Sequence, residues 1–179
     1  HALPNSKAFF KQQNIKLKTE NKKLRTILDE MRVQKISDEI KLMTEANKIS
    51  KNGHVKAMKS IKPGLTENQL QALMESEFLY AGAHHHAYPA IVASGQNAAI
   101  LHYRKNNAKC RKGELVLIDA GCEILGYASD ITRTFPVDGK FSAKQKEIYQ
   151  IVLDAQNTCI KMTKPGVTMI ALHTKASEI

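Results

Sequence analysis

Two aspartates, Asp119 and Asp130, carry the strongest chemical signal in this chain of 179 residues. Asp119 closes the short apolar run Leu115-Val116-Leu117-Ile118, and Asp130 lies in a returning segment, residues 127–135, rich in threonine and aromatics. Ile124-Leu125-Gly126 can turn the chain between them. If Ile124 and Leu125 form a two-residue hairpin loop, the numbers of opposed residues sum to 249. Asp119 then faces Asp130, with Cβ atoms about 4.5–5.5 Å apart. A loop at Leu125-Gly126 moves the sum to 251 and still leaves both on one face, whereas a sum of 250 splits them. Facing carboxylates in a buried hairpin repel, so either one holds a proton or a cation neutralises both. A metal pair is the economical solution, one carboxylate capping one ion and the other bridging two. All-oxygen ligands favour Mn²⁺ or Mg²⁺, and added imidazole admits Co²⁺, Fe²⁺ or Zn²⁺. The alternative is that one aspartate caps a turn and the other pairs with a base such as Arg133.

Histidine supplies the other candidates. His102, in Leu101-His102-Tyr103, is placed on a strand that can neighbour the hairpin, either as a half-buried structural residue or as a catalytic one. His84-His85-His86 precedes Tyr88-Pro89, as an idle exposed loop or a metal contact. No phosphate-loop glycine spacing and no nucleophile-elbow or cysteine-centred motif is present.

The elements that must position these groups follow from capping and periodicity. Ser37 can cap a helix, with Asp38 and Glu39 favourable in its first turn; Ile40, Met43, Ala46 and Ile49 recur along it, and Gly53 interrupts the pattern. Lys62-Pro63-Gly64 stops it. Thr66 and Gln69 then stand in capping-box register, bracketed by Leu65 and Leu70, and Leu70, Leu73, Met74 and Phe78 make one apolar face. Ile91-Val92-Ala93 and residues 100–103 read as strands around the turn at residues 94–97. The run at residues 115–119 reads as a strand buried on both faces. A further helix begins after Ser142, with Ile148, Val152, Ala155, Cys159 and Met162 on one side. Residues 1–36 have only weak periodicity, with scattered apolar positions such as Phe9, Phe10, Ile15 and Leu24.

One pattern repeats. Lys164-Pro165-Gly166-Val167-Thr168 echoes Lys62-Pro63-Gly64-Leu65-Thr66 at an offset of 102, and Leu172 takes the place of Leu70. Turn, cap and staple recurring together point to an internal structural duplication.

Composition bounds the class. Hydrophobic residues make up 42% and charged residues 25%, which are globular proportions. No apolar run is long enough to span a membrane. The net charge of +10 invites a nucleic-acid reading, but nine basic and three acidic residues fall within residues 1–37, leaving only +4 for the rest. No basic motif interleaved with aromatics supports nucleic-acid binding. Three cysteines without a CxxC pair, and no apolar leader segment, lead to the expectation of reduced thiols and a cytoplasmic location.

Leu117-Ile-Asp-Ala-Gly-Cys-Glu and Tyr127-Ala-Ser-Asp-Ile-Thr-Arg-Thr-Phe-Pro closely resemble the aminopeptidase P and prolidase family, metallopeptidases of the α+β pita-bread (creatinase/aminopeptidase-like) fold. The likeness extends through Ile91-Val-Ala-Ser-Gly, Asn97, Ile100-Leu-His-Tyr, Gly139-Lys-Phe, Gln145 and Asp29-Glu-Met-Arg. It implies that residues 1–37 are the end of an N-terminal domain and its linker, and that residues 38–179 are the first part of the catalytic domain, the second half of the duplicated unit being incomplete. It implies Asp119 as a metal ligand, Asp130 as the bridging ligand, and His102 as an active-site group that hydrogen-bonds substrate. The cofactor would be two Mn²⁺ ions, with Co²⁺, Zn²⁺ or Fe²⁺ as substitutes. They would hold a bridging hydroxide that attacks the carbonyl ahead of proline. The family's remaining ligands, one His and two Glu, come from the second half, and none is assignable here; His173 and Glu178 fall too early. The implied activity is Xaa-Pro aminopeptidase, with prolidase or a non-catalytic pita-bread binding module as alternatives, and the chain by itself is expected to be inactive. The implied partners are a peptide with proline in second position and either a second copy or a missing C-terminal half; no nucleic acid and no membrane.

Overall fold

The computed structural model describes residues 17–179, with side chains from residue 23 onward; Phe9, Phe10 and Ile15 lie outside them. The chain divides into two compact units, residues 1–42 and 43–179. In the first, helix α1 (Leu17–Val33) forms where the apolar periodicity is weak. Leu24, Ile27, Leu28 and Met31 make an exposed stripe along it. Helix α2 (Ser37–Ser60) includes Ser37 as its first residue; Asp38 and Glu39 occupy its first turn as expected, and Glu39 Oε2 accepts the Ile36 N–H at 2.7 Å.

In the second unit α2 continues through Gly53 without a break. The glycine is there for packing: a Cβ at this position would lie 2.6 Å from Phe78 Cε1 and 3.0 Å from the Met74 carbonyl. Helix α3 (Glu67–Tyr80) follows the Lys-Pro-Gly turn, where Gly64 has φ +95°. Gln69 Oε1 accepts the Thr66 N–H at 2.9 Å, while the Thr66 hydroxyl turns to the Asn68 side chain. The second Lys-Pro-Gly turn has the same conformation, Gly166 at φ +90°, and leads into helix α5 (Met169–Ser177). Both turns close with the same carbonyl bond, Leu65 N to Lys62 O and Val167 N to Lys164 O. The duplication therefore extends to backbone geometry.

Among the described residues, six strands form two three-stranded sheets: β1 (His85–His86), β4 (Cys122–Ile124) and β5 (Tyr127–Ala128) in order β1-β4-β5, and β2 (Ile91–Ser94), β3 (Leu115–Ala120) and β6 (Ile131–Pro136) in order β2-β3-β6, all antiparallel. The core joins Ala46, Ile49 and Ala57 of α2, Leu70, Met74 and Phe78 of α3, Val92, and Val116, Ile118 and Ala120 of β3. A Leu, Met and Phe buried this fully contribute roughly 1.5–3 kcal/mol each.

Two expectations change. Strand β3 is buried on one face only: Val116, Ile118 and Ala120 are buried, while Leu115, Leu117 and Asp119 are half-buried. The half-buried Leu115 and Leu117 line a groove of about 620 Å³ with Ile148, Tyr149, Val152 and Leu153 of helix α4 (Ala143–Met162). The face of α4 carrying Ile148 and Val152 is accordingly more than half exposed. Residues 100–103 are a turn, not a strand, because the 3₁₀ turn Gly95–Ala99 and the bonds Ile100 N to Asn97 O and Tyr103 N to Ile100 O coil the chain there. The capping box at the start of α4 forms as expected, with Ser142 and Gln145 exchanging bonds of 2.9 and 3.2 Å.

Candidate metal centre

The hairpin turns at Leu125-Gly126, both with positive φ, the conformation of a two-residue turn that suits the twist of the flanking strands. Ile124 pairs with Tyr127, and Asp119 with Thr132, so opposed numbers sum to 251. This is the second of the two registers that keep the aspartates on one face; the Ile124-Leu125 loop is excluded. Asp119 and Asp130 are therefore diagonal neighbours, not directly opposed.

The hairpin is not one ribbon. After Ala120 the outgoing strand leaves the β2-β3-β6 sheet, and from Cys122 it pairs in the other. Gly121 makes that crossing. The Cys122 N–H is received by the hydroxyls of Ser50 (2.9 Å) and Ser129 (3.1 Å), which also bond each other at 2.6 Å. His54 Nε2 donates to the Ala120 carbonyl at 3.1 Å, and its buried Nδ1 has no hydrogen-bond partner among the described residues. Burial holds the imidazole below its ordinary pKa, opposed by the Ala120 bond. The ring is neutral, with its proton on Nε2. Helix α2 thus fixes the crossing from beneath, with Asp119 just before it and Asp130 just after Ser129.

Tyr88 completes the arrangement. The Ala87 N–H donates to the Gly121 carbonyl at 2.9 Å, which brings the next residue over the crossing. The Tyr88 hydroxyl lies 2.6 Å from Asp119 Oδ1 and 2.9 Å from Asp130 Oδ1. Burial and both carboxylates raise the phenol far above its ordinary pKa, so it stays protonated. A phenol has one proton to offer, and here two carboxylate oxygens compete for it. Asp119 is half-buried and Asp130 exposed, so the pair opens toward solvent. Two oxygen-donor carboxylates converging on one polar point, short of compensating charge, suit a hard divalent cation. Among the described residues no group of three or more His, Cys, Asp or Glu side chains is placed to hold a metal ion.

Arg133 is not the partner of either aspartate. It sits opposite Ile118, one position out of step with Asp119, and its Nη1 donates to the Thr132 carbonyl at 2.7 Å. His102 is exposed in its turn with φ +54°, and among the described residues no hydrogen bond or ion pair joins it to either aspartate. Of the His triplet, His86 stacks obliquely with Phe78 and faces Glu75 at 3.7 Å, while His84 and His85 are exposed. Sequence reasoning missed Tyr88 and the Ser50–His54 support. Tyr88-Pro89 marks a constrained extended segment, but nothing local indicates what its hydroxyl meets.

The chain is similar to known proteins over most of its length. Residues 41–179 match metallopeptidase family M24. The chain is 45% identical over 146 residues to the Xaa-Pro aminopeptidase of Escherichia coli K12, covering 82% of this chain and 33% of that protein. It is 49% identical over 142 residues to the Xaa-Pro aminopeptidase of Haemophilus influenzae (79% and 33%). Among solved structures, an E. coli aminopeptidase P variant in complex with substrate superposes with a TM-score of 0.84 at 43% identity, covering 85% of this chain and 34% of that one. Pseudomonas aeruginosa aminopeptidase PepP gives 0.80 at 47% identity (82% and 33%). The fold is thus the α+β pita-bread type, with only part of its architecture present. The chain spans about a third of the length of the relatives it matches. Among the described residues, no helix is long and apolar enough to cross a membrane.

Proposed function

Because the chain belongs to metallopeptidase family M24, we propose that it provides part of the metal site of an Xaa-Pro aminopeptidase, which removes the N-terminal residue ahead of proline. The observation that carries this reading is the convergence of Asp119 and Asp130 on the Tyr88 hydroxyl. In support, the bacterial relatives named above are Xaa-Pro aminopeptidases at 45% and 49% identity.

In this reading Asp119 and Asp130 would hold the metal, with Asp130 shared between two ions. Mn²⁺ is the natural occupant for oxygen ligands, with Co²⁺, Zn²⁺ or Fe²⁺ as substitutes. When bound, such a pair supplies Lewis acidity and lowers the pKa of water. The chain's own contributions are distinct. Tyr88 holds both carboxylates in one orientation. His102, exposed beside the sheet that carries Asp119, donates a hydrogen bond to the substrate carbonyl. Additional ligands and turnover belong to a longer polypeptide or to a pairing with its second half, with residues 1–37 as the end of an N-terminal domain and the cytoplasm as the location.

Asp130→Asn tests the assignment. By itself the chain should bind Mn²⁺ weakly with negligible turnover. A polypeptide with the complete fold should cleave a Xaa-Pro tripeptide with Mn²⁺ stimulation, and the variant should abolish both. Substantial hydrolysis by Asp130→Asn with metal present would refute the site.

A further inference from the structure

A second buried carboxylate lies away from the aspartate pair. Glu67, the first residue of α3, is fully buried, and no ion pair to a cation reaches it among the described residues. Five donors converge on it instead. Oε1 accepts from Ser94 N (2.7 Å), Ser94 Oγ (2.9 Å) and Asn97 Nδ2 (3.0 Å). Oε2 accepts from the Tyr103 hydroxyl and Ala108 N, both at 2.9 Å. Asn97 also donates to the Tyr103 hydroxyl at 3.0 Å, closing a ring of bonds. Only an ionised carboxylate can accept from all five. Burial opposes that charge, yet the donors outweigh it and hold Glu67 below the ordinary glutamate range.

All five donors come from residues 94–108, and they bracket His102 on both sides. That stretch has no strand of its own after β2 and carries two non-glycine residues in the left-handed region, His102 (φ +54°) and Asn106 (φ +45°). His102 side-chain atoms make no restraining bond among the described residues. Its place is set by Tyr103, whose hydroxyl is tied to Glu67, and by the Glu67 N–H bond back to the Ala108 carbonyl at 2.9 Å. Asn106 fastens the far side to β2 through Val92 N, and to the residue before that strand through Ala90 O.

We propose that Glu67 is a positioning residue for His102: an uncompensated buried anion whose five donors hold residues 94–108 in the conformation that presents the imidazole. This rests on the active-site role proposed for His102. Replacing Glu67 by Gln is nearly isosteric but sets an NH₂ group against inward-facing donors, so at least one donor is left unsatisfied in the interior.

The test is NMR on the 179-residue chain with ¹³C-labelled histidine, the His102 signal being assigned with His102→Gln. Glu67→Gln should broaden or shift the His102 signal and speed amide exchange at Ser94 and Ala108 at least tenfold, with Val116 and Ile118 still protected. Leu70→Ala, which opens the core under the same helix, should lower stability without singling out His102. Tyr103→Phe removes one donor while keeping the charge; it should disturb His102 in the same way to a smaller degree, and it carries the test if Glu67→Gln does not fold. A His102 signal unchanged in the variants, or changed equally by Leu70→Ala, overturns the proposal. None of these readouts depends on hydrolysis. The role of His102 itself is read separately, from turnover of a Xaa-Pro tripeptide by His102→Gln in the complete fold.

Discussion

Gly121 and the Ser129 carbonyl are in such close contact that a Cβ on Gly121 would lie 1.9 Å from that oxygen. Real Cβ atoms do not approach oxygen so closely, and both partners are backbone at the crossing between the two sheets. Any side chain at residue 121 must push the outgoing and returning strands apart, and they carry Asp119 and Asp130 on either side of the contact.

Gly121→Ala should therefore destabilise the chain by at least the roughly 1–3 kcal/mol typical of overpacking, measurable by urea denaturation. It should also weaken Mn²⁺ binding more than tenfold in calorimetry, because the carboxylates no longer converge. Wild-type metal affinity in a folded Gly121→Ala chain would show that the crossing does not set the site.

Tyr88→Phe keeps the ring and deletes the proton shared by the two aspartates. With metal absent, the variant should lose about 1.5–3 kcal/mol, the usual scale for a hydrogen bond to a charged group. Added Mn²⁺ should raise its thermal midpoint at least as much as it raises that of wild type, since the ion supplies the missing neutralisation. Equal stability of the two metal-free chains would mean that the shared bond contributes nothing.

Glu67 imposes a direction on acid stability. Its folded pKa lies below its ordinary value, so its contribution is fully present above the unfolded glutamate pKa and is lost as pH falls through the folded value. Denaturation midpoints measured from neutral pH into acid should fall more steeply for wild type than for Glu67→Gln, which lacks that titration. Parallel curves would contradict an ionised Glu67.

Gly53→Ala sets two effects against each other. Alanine gains about 1 kcal/mol over glycine in a helix, but its methyl would sit 2.6 Å from the buried Phe78 ring. Displacing an enclosed ring costs about 1–3 kcal/mol, so net destabilisation is expected in urea, with a Phe78→Leu background relieving it. A stabilised Gly53→Ala would show that the ring moves freely.

Much of the local structure is legible from residue types alone. The start of α2 at Ser37, the caps at Thr66 and Ser142, and the paired Lys-Pro-Gly turns depend on neighbours within four residues, so their physics is contained in the string. The shared face of Asp119 and Asp130 is legible too, because two of the three registers preserve it. Residues 100–103 misled: Ile-Leu-His-Tyr has strand propensity, but Glu67, some 35 residues earlier, binds Tyr103 and coils the segment into a turn. The exposed face of α4 likewise has the periodicity of a buried helix, and periodicity records which face is apolar without saying what covers it.

The sequence by itself determined that two carboxylates share one side of a turning chain, that a turn-and-helix unit occurs twice, and that the motifs are those of a metallopeptidase. Only the tertiary structure decided the register, the Gly121 crossing, the single phenol serving both aspartates and the buried Glu67 behind His102. Each of these joins residues from about eight to some eighty positions apart through close contact, and side-chain type fixes no distance until the core has packed.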